Sequence, residues 1–293
     1  MITDIYQHLF APFADYGFMR RALVACLALA LGSGPIGTFL VLRRMSLMGD
    51  AMSHAILPGA AIGFLVAGLS LWAMSLGGLA VGLAVALLAG LISRITSLRE
   101  DASLAGFYLI SLAAGVLIVS LKGSNVDLLH VLFGSILSVD DAALLLVAGI
   151  ASFTLVTLAL VYRPLVMECF DPGFLRAVAG HGSFYHILFL VLVVLNLVAG
   201  FQSLGTLMAV GLMMLPAAAA RFWAREVWSL AAFSIVAAFV SGWIGLLISF
   251  HLDLPSGPAI ILTAGFIYLG SILLGRHGSI RARFFPGAHY HED

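Results

Sequence analysis

Arg43-Arg44-Met45-Ser46-Leu47-Met48-Gly49-Asp50-Ala51-Met52-Ser53-His54-Ala55-Ile56-Leu57-Pro58-Gly59 sets an acid and an imidazole where the chain turns membrane-apolar again. No other strongly apolar span holds such a pair. An ionisable residue at membrane depth is costly and reads by default as functional. On a helix, Asp50 and His54 stand four residues apart and share one face. Both residue types ligate divalent metals. Pro58 has no N–H to give to the carbonyl four residues back, which is that of His54. One short segment thus offers a carboxylate, an imidazole, the Ser53 hydroxyl and a freed carbonyl oxygen. Asp50 has a rival role as the N-cap of its span, and Ser53 as a helix–helix contact.

Working outward, the 293 residues are 62% hydrophobic and 10% charged, against roughly 25% charged in soluble domains. Many runs reach the ~20 apolar residues that a spanning helix needs. The expected fold is all-α, a polytopic transmembrane bundle of about nine spans, eight being the alternative. The spans fall at 18–42, 50–68, 71–93, 104–121, 140–162, 184–201, 204–221, 228–250 and 256–275. Residues 126–138 are apolar but too short to cross, and read as a surface or re-entrant helix. Residues 1–17 form an amphipathic lead-in with acids and no early basic residue, unlike a signal peptide. Residues 18–275 form the membrane domain and 276–293 a tail. The zero net charge indicates no nucleic-acid partner. Cys26 and Cys169 lie far apart, without metal spacing, and read as free packed thiols.

Basic residues set the orientation. With the N-terminus outside and the C-terminus in the cytoplasm, every Lys and Arg except Arg20, Arg21 and Lys122 falls inside. The loop from Glu168 to Gly180 is then cytoplasmic. Asp171-Pro172 reads as a cap and first helical residue, Gly180 as a stop. The short helix between exposes Phe174 and Leu175, which suits docking to a soluble partner or folding back on the membrane surface.

Five stretches now converge: Leu42 to Gly59, Phe133-Gly134-Ser135-Ile136-Leu137-Ser138-Val139, Asp171-Pro172-Gly173-Phe174-Leu175-Arg176-Ala177, Met213-Met214-Leu215-Pro216-Ala217-Ala218-Ala219-Ala220-Arg221, and Leu252-Asp253-Leu254-Pro255-Ser256-Gly257-Pro258. Together they resemble the zinc/manganese/iron ABC-importer permease family, from about Phe18 to Gly275. The first stretch is specific and the others are supportive. The resemblance implies a bacterial cytoplasmic (inner) membrane protein similar to the vitamin B12 importer's membrane subunit, less its first span. It implies a second permease subunit (a homodimer is expected), two cytoplasmic ATP-binding subunits and a metal-specific solute-binding protein. It places Asp50 and His54 on the metal path, and makes 171–180 the coupling helix, with Asp171, Pro172, Phe174, Leu175, Arg176 and Ala177 at the ATPase. Gly173, often acidic in the family, and His181 depart from that pattern.

Other polar residues are weaker candidates. Ser53, His251 and Asp253 could extend the metal path, the last two also reading as a solvated outer loop. Asp127 and His130 flank the 126–138 segment, and Asp140 and Asp141 read as caps or docking groups. Met208, Met213 and Met214 read as packing. His289, His291, Glu292 and Asp293 end the tail, either unstructured or as a weak metal contact.

Rival functions fail on motifs. The single lysine, Lys122, precedes Gly123, so no Walker A loop exists and the energy must come from elsewhere. No His-Glu-x-x-His or Gly-x-Ser-x-Gly is present to support an intramembrane protease. An ion-coupled secondary transporter would carry more intramembrane carboxylates. The chain reads as a non-enzymatic permease without a resident cofactor, moving Zn²⁺, with Mn²⁺ or Fe²⁺ as the alternative and an ion-coupled secondary metal transporter as the weaker one. One imidazole and one carboxylate do not decide among these metals.

Overall fold

The computed structural model describes residues 9–68, 70–98, 100–121, 136–171 and 182–284, and these are helical nearly throughout. A short lead-in, α1 (Ala11–Asp15), is followed by α2 (Gly17–Leu42), α3 (Ser46–Ala55), α4 (Leu57–Ala67), α5 (Leu71–Ile95) and α6 (Glu100–Leu121). After a 3₁₀ turn at Ile136–Ser138 come α7 (Asp141–Phe170), α8 (Gly182–Leu204), α9 (Thr206–Ala220), α10 (Val227–Leu252), α11 (Ser256–Leu274) and the short α12 (Ile280–Phe284). Among the described residues, seven helices, counting α3 and α4 as one, are long and apolar enough to cross a membrane; α6 and α9 contribute shorter apolar segments. Each of the nine predicted spans thus meets a helix.

Two boundaries differ from the sequence reading. The second span opens at Ser46 with Met45 at the N-cap. Asp50 therefore lies in the second turn, and its rival role as a cap falls away. The fifth span runs on to Phe170, so Glu168 and Cys169 belong to a helix and not to a loop. Pro164 withholds an N–H from Leu160, and Val161 absorbs the kink at φ −106°, ψ 15°. Asp140 does cap α7, accepting from the Ala143 N–H at 2.8 Å.

Small residues let the helices touch backbone to backbone. A Cβ on Gly37 of α2 would strike the Met213 carbonyl of α9. Gly59 and Gly77 meet reciprocally, each closed against the other's carbonyl, so α4 and α5 pack as a tight hairpin. Gly68 ends α4 at φ +63°, a conformation open to glycine.

The two ends of the bundle differ in charge. At one end, Tyr16 packs its ring 5.3 Å from Phe250, joining the start of α2 to the end of α10. At the other end the His277 N–H bonds the Phe222 carbonyl, tying the end of α11 to the end of α9. Helices α2 and α9 run parallel, Leu29 lying by Gly200 and Ala209, and Gly37 by Met213 and Ala217. Arg43, Arg44, Arg221, Arg225 and Arg276 therefore gather at one end, and Arg20 and Arg21 at the other.

Candidate metal path and its supports

Asp50 and His54 project from α3 with Oδ1 and Nε2 3.8 Å apart. The Asp50 side chain is 65% exposed and that of His54 30%. The pair forms part of an open face. His54 Nδ1 is buried and makes no hydrogen bond. Its ring stacks on Tyr108 of α6 at 6.4 Å and 30°.

Neighbouring contacts give the depth of the pair. A Cβ on Gly78 or Gly82 of α5 would meet Ile56, and the same positions face Val198 and Val194 of α8. Gly32 of α2 faces Asn196 of that helix. Ile56 and Gly32 therefore share a level, close to the middle of α2. His54 sits about 3 Å, two residues of rise, nearer the Arg43 end. His54 thus stands about 7 Å from the middle of α2 and Asp50 about 13 Å, both toward the Arg43 end, so the pair lies in the half of the bundle that ends at Arg43, where an ionised side chain is still costly.

Helix α6 backs the site with residues at i, i+3 and i+7, which share a face. Tyr108 covers His54, the Ser111 hydroxyl donates to the Ala55 carbonyl at 2.9 Å, and Gly115 lies against Pro58. The Ser111 bond satisfies a carbonyl at the break between α3 and α4. Across that break the Ile56 N–H reaches Met52 (3.2 Å) and the Ala60 N–H reaches Ile56 (3.1 Å). Ile56 is also directed at the His54 carbonyl, the oxygen freed by Pro58. The Ser53 hydroxyl is buried and donates to the Asp50 carbonyl at 2.7 Å. Spacing alone gave no reason to pick out Tyr108, Ser111 and Gly115 among so many apolar neighbours.

His251 and Asp253 lie at the Tyr16 end, about 24 Å from the level of Gly32 by the rise of α2. His251 Nδ1 bonds the Leu247 carbonyl at 2.9 Å, and Asp253 ends α10 at φ +50°. The structure does not bring them to the Asp50–His54 pair. Asp171 is the exposed C-cap of α7. Pro172, Phe174, Leu175, Arg176 and Ala177 lie outside the described residues, as do Asp127, His130 and the terminal histidines. Among the described residues, no group of three or more His, Cys, Asp and Glu could hold a metal ion.

Charges also meet at the α2–α3 corner. Arg43 Nη2 bonds Glu168 Oε2 at 2.8 Å, and the two side chains are only 6% and 9% exposed. His186 Nδ1 lies 3.5 Å from Glu168 Oε1 and 3.4 Å from Arg43 Nη1. The guanidinium also reaches Cys169 Sγ and rests 4.2 Å over the Phe189 ring. Sequence reasoning missed this cluster.

Residues 15–275 match the ABC 3 transport family. The chain is 32% identical over 274 residues to the manganese import system permease protein ScaB of Streptococcus parasanguinis, covering 94% of this chain and 95% of that one. It is 29% identical to the chelated iron transport system membrane protein YfeD of Yersinia pestis, covering 93% and 90%. Its fold matches a chain of PsaBC from Streptococcus pneumoniae, solved in complex with Fab, at a TM-score of 0.83 and 29% identity, covering 97% and 99%. A metal-chelate type ABC transporter in an inward-facing conformation shares the fold at 14% identity and a TM-score of 0.68, covering 86% and 84%. With its apolar helices and a family match over residues 15–275, the chain belongs to the ABC 3 transport family, as a multi-pass permease of a bacterial ABC metal importer and not itself the ATPase.

Proposed function

We propose that this permease carries Mn²⁺, or Fe²⁺ by the same route, into the cytoplasm past Asp50 and His54. The carrying observation is the pair itself, one carboxylate and one imidazole 3.8 Å apart on an open face within the apolar bundle. Oxygen and nitrogen donors suit manganese and iron, and neither thiol joins the pair: Cys26 is buried and Cys169 lies at the Arg43 cluster. Two protein ligands hold an ion loosely enough to let it leave. The relatives named for manganese and iron favour this cargo over the zinc suggested by sequence.

The exposed face fits a second permease subunit, so that two Asp–His pairs flank one central route. The basic end of the bundle is assigned to the cytoplasm, with the N-terminus outside. A solute-binding protein would then deliver metal at the Tyr16 end, and two ATPases would act at the Arg43 end. The test is uptake by vesicles holding the whole complex with its binding protein, comparing Mn²⁺, Fe²⁺ and Zn²⁺. ATP-dependent Mn²⁺ or Fe²⁺ uptake that is lost in His54→Ala supports the proposal. Uptake of Zn²⁺ alone, or full transport by His54→Ala, overturns it.

A further inference from the structure

The Arg43 cluster joins three elements that are remote in sequence. Arg43 closes α2, three residues before the helix that bears Asp50 and His54 begins at Ser46. Glu168 and Cys169 end α7, just before residues 171–181, and His186 lies in the first turns of α8, just after them. One guanidinium therefore holds both roots of the 171–181 connection and the root of the metal-site helix. Its donors are spread over Glu168, Cys169 and His186, and its flat face is taken by Phe189. A planar fork of fixed donors suits such a junction better than a flexible ammonium would.

The next residue carries a second, independent signal. Arg44 adopts φ +59°, a left-handed conformation unusual for a bulky side chain. Such a conformation persists where its surroundings over-determine it. Here the Met45 N–H closes back on the Leu40 carbonyl at 2.9 Å on one side, and the anchored Arg43 lies on the other. The corner is thus a stiff bend, and displacement of α7 and α8 at Glu168 and His186 must pull on α3.

We propose that Arg43, Glu168 and His186 form the joint through which movement of the 171–181 connection is passed to the Asp50–His54 helix. All three act as positioning residues and do not touch the ion. The proposal rests on reading 171–180 as the segment that meets the ATPase. It predicts a specific defect: a permease without the joint still assembles and still lets its ATPase turn over, but moves less metal per ATP.

The experiment measures Mn²⁺ uptake and ATP hydrolysis together, in vesicles holding the complete complex and its binding protein. The main variant is Arg43→Met with Glu168→Leu, which removes both charges at once and leaves neither buried alone. The expected result is hydrolysis within about twofold of wild type and a fall of about tenfold in Mn²⁺ moved per ATP. Arg43→Lys keeps the charge without the fork and is expected to give a smaller fall. An unchanged ratio in the double variant overturns the proposal, as do uptake and hydrolysis falling in proportion, which is what a plain structural staple would give. If the double variant does not assemble, Arg43→Lys decides, and an unchanged ratio there overturns the joint. Two controls test the readings beneath it separately. Asp50→Ala transporting normally would sink the metal path, and Phe174→Ala with Leu175→Ala leaving ATPase binding intact would sink the docking segment.

Discussion

Two polar constellations, one on α3 and one anchored by Arg43 just before it, are built on opposite plans. Asp50 and His54 are open, loosely spaced and short of partners. Arg43 and Glu168 are closed, short-bonded and surrounded by further partners. A buried charge pair whose three guanidinium nitrogens each find a partner holds elements in place. A half-exposed pair with spare lone electron pairs has room for a guest. On the proposed function, the two sites divide the work of holding a cargo and holding the scaffold.

The widest separation is expected from substitutions at the open pair. Asp50→Ala or His54→Ala should abolish metal uptake in vesicle assays, while detergent-solubilised complexes keep their composition and melting temperature. Glu168→Ala should do the reverse in thermal unfolding, because it strands Arg43 in a buried site at a cost of about 3–5 kcal/mol. The combined Arg43→Met, Glu168→Leu variant should recover most of that loss. A similar penalty for Asp50→Ala would erase the contrast between the two sites.

The next effect in size concerns the framework that carries the pair. Gly59→Ala places a methyl group against the Gly77 carbonyl, and such overpacking costs about 1–3 kcal/mol. It should lower the melting temperature and tilt α4 away from α5. The smallest effect is expected at Ser53, whose hydroxyl serves the Asp50 carbonyl. Ser53→Ala should change stability by about 1 kcal/mol or less and leave metal uptake nearly intact. A loss of uptake as deep as that of His54→Ala would make Ser53 a ligand and enlarge the open site.

The helices were legible because runs of about 20 apolar residues have few other uses. Asp50 and His54 were legible because nothing else in those runs is ionisable at helical spacing. The start of α3 was misplaced because Asp is a strong cap by propensity, whereas the Arg44 bend lets the helix begin a turn earlier. The sequence reading ends the fifth span at 162, but Val161 takes up the kink at Pro164 and α7 continues to Phe170. The Arg43 cluster was invisible for a plainer reason. Its partners Glu168 and His186 lie 125 and 143 residues away, and no local pattern encodes a pairing at that distance.

The uncovered carboxylate of Asp50 also bears on biogenesis. On the proposed pairing, a copy inserted before its mate would leave that group uncovered, at a cost below the ~2.5–3.5 kcal/mol of an aspartate at a helix centre. The mate would relieve the penalty, so the residue proposed to handle cargo would also make solitude unfavourable. Orphan subunits are then the ones a quality-control protease should find first.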